Sequence, residues 1–259
     1  MNQLSTMKIT GLLYILLLIT GCSSTPTAEA PLEQPESLAP DVNATSGLCA
    51  NSHQPVVNGA TWNYSISGTM GNSSFTNTIT SIREDGFTMT VEFDDLTLNQ
   101  EWACSQEGLL ALQMGGGNAG LLTTGDTRLE LATQNASGVT YPKEISPGDK
   151  WTYSLDFTGT MDIAGQSADV VGDTQSNFTA IGVESITVPA GTFEAMKIES
   201  GITITISSTF QGTTVPVTFN GTSTSWIAPG VGWVKSISSS DFGGVTSSET
   251  IDLQWYNIP

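Results

Sequence analysis

Positive charge is the scarcest chemistry in this sequence. Its 259 residues include seven Lys and Arg against 25 Asp and Glu, and a single histidine, His53. An acidic surface repels phosphate backbones, so nucleic acid is not expected as a partner. With one histidine, any Ser-His-Asp triad would have to use His53, and no Gly-x-Ser-x-Gly elbow is present. His53 and Cys49 are close in sequence, but no third or fourth zinc ligand lies nearby, and the expectation is an exposed, idle histidine. The neighbouring acids Glu84-Asp85, Asp94-Asp95, and Asp169 with Asp173 lack the glycine and terminal glutamate of a calcium loop. No two carboxylates are singled out by spacing for glycosidase chemistry. The expectation is a protein that is not an enzyme and uses no metal or cofactor.

Long hydrophobic runs are also missing. The longest, Leu12–Ile19, is too short to span a bilayer, which takes about 20 residues. It follows Lys8 and ends in Ile19-Thr20-Gly21-Cys22, so residues 1–21 have the three zones of an export signal. The signal is already complete if translation starts at Met7. Its last four residues resemble the lipobox of bacterial lipoproteins. That resemblance implies cleavage before Cys22, a diacylglycerol on its thiol, and a membrane partner reached through the lipid. Residue 23 is Ser rather than Asp, and resemblance to the enterobacterial sorting rule then implies the outer membrane in a host with two membranes, and otherwise the outer face of the cell membrane. Without Lys8 the mature chain carries six basic and 25 acidic side chains, a formal charge of −19. Residues 22–46 are rich in Ser, Thr, Ala, Pro and Glu with few large apolar side chains, and are expected to be a disordered tether.

From residue 47 onward the pattern is that of strands. Ile202, Ile204 and Ile206 alternate with Thr; Phe87, Met89, Val91 and Phe93 alternate with polar neighbours, as do Ile251, Leu253 and Trp255. Glycine-rich clusters such as Met114–Asn118 and Ser240–Gly244 read as turns. The one helical expectation is a short element over Asp126–Gln134. An internal echo is present: Gly59-Ala60-Thr61-Trp62-Asn63-Tyr64-Ser65 matches Gly148-Asp149-Lys150-Trp151-Thr152-Tyr153-Ser154 at Gly, Trp, Tyr and Ser with equal spacing. Two related strand-rich modules follow, 47–135 and 136–259, each with little core of its own and able to share one sheet.

The second module carries Val188-Pro189-Ala190-Gly191-Thr192-Phe193 and Trp226-Ile227-Ala228-Pro229-Gly230-Val231-Gly232-Trp233. The first reads as a tight turn with Phe193 returning to the core, the second as a type II turn at Pro229-Gly230. Together with Pro147-Gly148-Asp149-Lys150-Trp151, these strings resemble an uncharacterised family of exported bacterial β-proteins, the domain of unknown function DUF 3108. The resemblance covers about residues 136–259 and reaches the first module only faintly. It implies an all-β fold, a curved antiparallel sheet or half-barrel similar in outline to LolA- and LolB-like lipoprotein carriers, and it supplies no catalytic residues.

Two cysteines remain beside Cys22. In an exported chain, Cys49 and Cys104 are expected to form a disulfide, the alternative being two separate buried thiols. Trp62, Tyr64, Trp151, Tyr153, Trp226 and Trp233 are either core or the lining of a ligand cavity. Two functions follow: binding a lipid or other amphiphile on a concave sheet, or binding another envelope protein as a structural or assembly factor.

Overall fold

The computed structural model describes residues 47–69, 71–94, 96–113, 127–163, 166–210, 213–242 and 245–259. The export signal, Cys22, the tether and the Met114–Asn118 turn lie outside them. Among the described residues, all thirteen strands, the core and the disulfide belong to one compact unit, Ser37–Pro259.

The strands are β1 (Thr61–Gly68), β2 (Gly71–Arg83), β3 (Gly86–Glu92), β4 (Thr97–Cys104), β5 (Gly108–Ala111), β6 (Thr127–Gly138), β7 (Tyr141–Pro142), β8 (Lys150–Ile163), β9 (Gln166–Val188), β10 (Gly191–Phe210), β11 (Thr213–Ala228), β12 (Gly232–Phe242) and β13 (Val245–Asn257). They form one antiparallel sheet in the order β6-β8-β9-β10-β11-β12-β13-β1-β2-β3-β4-β5-β7, curled into a half-barrel. Residues on both sides of the expected 135/136 boundary share a single sheet, and β13 pairs with β1, from Thr61↔Asn257 to Gly68↔Glu249. The boundary at 135/136 falls inside β6.

Asp126 lies outside the described residues, and the rest of the helix expected over Asp126–Gln134 does not form. Residues from Thr127 onward are strand, paired to β8 from Thr127↔Ile163 to Gly138↔Tyr153. Leu129, Leu131 and Thr133 alternate with Arg128, Glu130 and Ala132, and that period of two suits a sheet rather than a helix.

The curl has a local cause. Val139 N donates to Thr152 O of β8 at 3.0 Å, and Thr140 N donates to Leu109 O of β5 at 2.8 Å. One continuous backbone stretch therefore touches both ends of the strand order. The Tyr153 hydroxyl adds a bond across the same gap, donating to Ala111 O at 3.1 Å. Bulges at Asn63/Tyr64, Lys197/Ile198 and Trp226/Ile227 bend the long strands further.

Two turns follow their sequence signals. Gly230 has φ 71°, the left-handed geometry a type II turn needs at its third residue, and Val231 N closes the turn on Ala228 O at 3.1 Å. The Pro189-Ala190 tip of the β9–β10 hairpin meets β13, Ala190 N donating to Leu253 O at 3.1 Å, while buried Phe193 lies 6.1 Å from the Tyr256 ring.

Residues 47–60 lie against the sheet before β1. Cys49 is bonded to Cys104 at the end of β4, with Cα atoms 4.9 Å apart. A loop of 55 residues closed this way contributes about 4 kcal/mol by loss of unfolded-state entropy. Asn51 organises the segment: its Oδ1 accepts from His53 N and Gln54 N, both at 2.9 Å, and its Nδ2 donates to Pro142 O at 2.8 Å.

Candidate functional site

The two echoed strings build the same local structure. Gly59 and Gly148 have φ 81° and 92°, conformations that a side chain resists, and each ends a tight turn. Gly59 N donates to Ile79 O and Ile79 N returns to Ala60 O; Gly148 N donates to Ala180 O and Ala180 N returns to Asp149 O. The Trp and Tyr of each copy then occupy the second and fourth positions of β1 and β8.

These side chains fill the core. Trp62 is 1% exposed, its indole nitrogen donating to Val231 O at 2.7 Å. Tyr64 stacks between Phe75 and Trp233, both at 4.9 Å, and its hydroxyl donates to Trp233 O at 2.9 Å. Burial holds the Tyr64 and Tyr153 hydroxyls well above the usual phenol range, and pushes that of Tyr141 to about 12. Trp226 donates to Glu184 Oε1 at 2.6 Å, under a Lys197 ammonium 5.8 Å from its ring. Trp151 is half-buried and stacks on Phe178 at 5.3 Å. The cavity lined by Trp62, Tyr64, Asn77, Trp102 and Trp233 measures about 20 Å³, room for a single water molecule. Asn77 Oδ1, the Gln100 amide, Trp102 Nε1 and Thr174 Oγ1 are buried with no hydrogen-bond partner among the described residues. Each such group costs about 1–3 kcal/mol.

A second surface, not singled out by motif, lies nearer the hairpin ends. Register places Tyr153, Leu155 and Phe157 of β8 on the same face as Ser176, Thr174 and Gly172 of β9, and as Ile202, Ile204 and Ile206 of β10. The same face of β11 carries Val217 opposite Ile206 and Val215 opposite Ser208. Ile202, Ile204, Ile206 and Val217 are half-buried; Val215 is 54% exposed. Leu131 and Met161 pack against the core from β6 and β8 and extend this apolar strip. Gly172 is required here, because an added Cβ would lie 2.5 Å from the Phe157 ring. From Ile202 to Ser208 the strip runs about 20 Å.

Beside it, the face turns hydroxylic. Ser200 pairs with Ser223 across β10–β11, their oxygens 2.8 Å apart, and Ser240 with Ser247 across β12–β13 at 2.7 Å. Ser238 donates to Glu249 Oε1 at 3.3 Å. Isoleucines alternating with threonines announced a strand here; only the cross-strand register shows that the isoleucines continue the core face beyond the packed core.

The expectation of an exposed His53 is revised. It is buried, 6% exposed, rather than idle at the surface: the Asn51 turn carries it inward, its Nδ1 lies 2.9 Å from Ser52 Oγ, and burial lowers its pKa despite the nearby Glu144 carboxylate. Cys49, its one sequence neighbour with ligand chemistry, is committed to the disulfide. No three His, Cys, Asp or Glu side chains converge on a metal position among the described residues.

The sequence model for DUF3108-like proteins matches residues 122–251, half of the chain. The chain belongs to the DUF3108-like family. No curated protein matches this DUF3108-like chain. Solved structures align with the chain at low identity. A protein from Bacteroides fragilis described as exported, with a YmcC-like fold, aligns at 14% identity over 81% of this chain and 99% of its own, with TM-score 0.45. A protein from Parabacteroides distasonis described as a lipoprotein aligns at 15% identity over 82% and 100%, with TM-score 0.46. The hypothetical lipoprotein YmcC from Escherichia coli aligns at 12% identity over 75% and 83%, with TM-score 0.31.

Proposed function

We propose that this DUF3108-like protein is an exported, lipid-anchored envelope protein that performs no catalysis and binds a single-chain amphiphile near the open hairpin ends of the half-barrel. The lipobox at Cys22 supports the anchor. The observation that carries the binding reading is the partly exposed apolar strip from Ile202 to Val215 beside a hydroxyl-lined wall. A ligand does not enter the Trp62–Tyr64–Trp233 region, where about 20 Å³ is open. It lies along the strip, whose length of about 20 Å exceeds the ~15 Å depth of one leaflet of a bilayer core. Its head group meets Ser238, Ser240, Ser247 and Glu249. A wall with a carboxylate and no cation, in so acidic a chain, favours an uncharged or cationic head group.

The test uses Ser37–Pro259, which contains the whole fold and lacks Cys22. A fluorescent monoacylglycerol is titrated into the protein and into Val215→Asp, an exposed change that leaves the core intact. Saturable binding weakened roughly tenfold by the aspartate, about 1.4 kcal/mol, is expected. Absence of binding, or equal affinity for both proteins, would move the reading to the envelope-protein alternative. That alternative is favoured by β6, which ends the strand order and could accept an added strand.

A further inference from the structure

The opposite face of the same long strands carries a separate depression. Register aligns Asn177 and Thr179 of β9 with Gly201 and Glu199 of β10, these with Thr222 and Thr224 of β11, and these with Ser239 and Ile237 of β12; Ser248 of β13 follows Ser239. These nine residues, with the intervening Ser200, Ser223 and Ser238, line an open cleft of about 620 Å³. That volume lies within the roughly 300–1,000 Å³ common for small-ligand sites. All nine are on the face away from Ile202, so the cleft is distinct from the apolar strip.

Its floor is backbone. Gly201 has no atom within 4 Å of where a Cβ would stand, and its missing side chain opens the centre of the cleft. Around that floor stand one amide, one carboxylate and five hydroxyl side chains, none engaged by another described side chain. Ile237, 45% exposed, is the one large apolar group. Among the described residues, no lysine or arginine contributes to the lining. The nearest cations along the strands, Lys197 and Lys235, are turned to Glu184 and Asp252.

Hydrogen-bonding chemistry selects the ligand class. Hydroxyl and amide side chains both donate and accept, and so match a ligand whose own groups do both. An anion finds Glu199 and no countercharge; a lipid tail finds Ile237 alone. A peptide added as a strand would require an open edge for its backbone, and the cleft lies in the interior of the sheet. A polyhydroxylated, uncharged chain satisfies all of these constraints: its hydroxyls meet the Thr, Ser and Asn side chains, its ring approaches the backbone at Gly201, and its apolar C–H face rests on Ile237. We infer that the Asn177–Gly201–Thr222–Ser239 cleft is a binding site for a neutral oligosaccharide.

The experiment is an amide chemical-shift titration of Ser37–Pro259 with chitotetraose, cellotetraose and maltotetraose, each to about 10 mM, a range that reveals binding down to about −3 kcal/mol. Saturable shifts centred on Gly201, Thr222 and Ser239 are expected for at least one of the three. Gly201→Trp fills the open floor without backbone strain and should weaken that binding at least tenfold, while the amide spectrum elsewhere and the melting temperature stay as in the parent. Val171→Asp, on the same face beyond the cleft, should leave affinity unchanged. The inference is overturned if none of the three sugars shifts these amides. It is equally overturned if Gly201→Trp folds and binds as the parent does, or if Val171→Asp abolishes binding instead. Because Val215→Asp reports on the other face, failure of amphiphile binding and failure of sugar binding are read independently.

Discussion

The two Gly-x-x-Trp-x-Tyr-Ser copies have the same turn, the same backbone bonds and different surroundings. Trp62 is sealed in the core and bonded to Val231 O of the distant half of the chain; Trp151 is half-covered, stacked on Phe178, with its indole 3.4 Å from the local Thr140 O. The tyrosines behave reciprocally. Tyr64 of the first copy donates to Trp233 in the second half, and Tyr153 of the second copy donates to Ala111 in the first. Opposite Tyr64 stands Phe75; opposite Tyr153 stands Ser176. A repeated local string therefore dictates the turn and the strand start, whereas the burial of its aromatics is decided by what the rest of the sheet brings opposite.

The largest contrast is between the tryptophans. Trp62→Ala should cost about 3–5 kcal/mol, the range for emptying a filled core site, and Trp151→Ala about 1–2 kcal/mol, in proportion to its smaller burial. Urea unfolding of both variants measures this; equal losses would break the comparison. Next come the tyrosines. Tyr64→Phe and Tyr153→Phe each leave a buried carbonyl without its donor, at about 1–3 kcal/mol. If the two bonds jointly hold the curl, the double variant departs from additivity by more than about 0.5 kcal/mol. Gly59→Ala and Gly148→Ala should each cost about 1 kcal/mol, and equally, because both are strained by positive φ and neither new Cβ meets an atom closer than 3.8 Å. A twofold difference between them would show that the turns are not equivalent.

The smallest effects are in pH. The buried tyrosines have folded pKa values above the usual 10, so their contribution is complete below pH 10 and is lost as pH rises through the folded values, for Tyr141 about 12. His53 has the opposite sign. Its folded pKa is below 6.5, so its contribution is complete above pH 6.5 and declines as pH falls below it. Melting temperatures at pH 7.5 and 5.5 should differ less in His53→Gln than in the parent; an unchanged difference would remove His53 from the acid response.

Much of this fold was legible. Period-two alternation identified the strands, the Gly-x-x-Trp-x-Tyr echo located two strand starts, Pro229-Gly230 marked its turn, and cysteine arithmetic in an exported chain paired Cys49 with Cys104. The helix expected at Asp126–Gln134 does not form from Thr127 onward because the alternation of Leu129 and Leu131 and pairing with β8, which follows later in the chain, outweigh any local helix preference. His53 was misplaced because loop position suggested exposure, while Asn51 folds that loop inward. The candidate surfaces were the least legible. Gly201, Thr222 and Ser239 are far apart in sequence and become neighbours through register alone, and Ile202–Ile206 looks the same whether a strand is covered or half open.

The disulfide also defines a path for mechanical load. Tension arriving from the chain before Gly47 meets Cys49 after two residues and crosses through sulfur to Cys104, at the end of β4. Residues 50–103, including β1 at the junction with β13, are bypassed. With the bond reduced, the same pull would run through Ala60 into Thr61 and draw on β1, the strand that joins the two halves of the sheet. A protein held by its N-terminus could then be unzipped from its middle, a route that the Cys49–Cys104 bond closes.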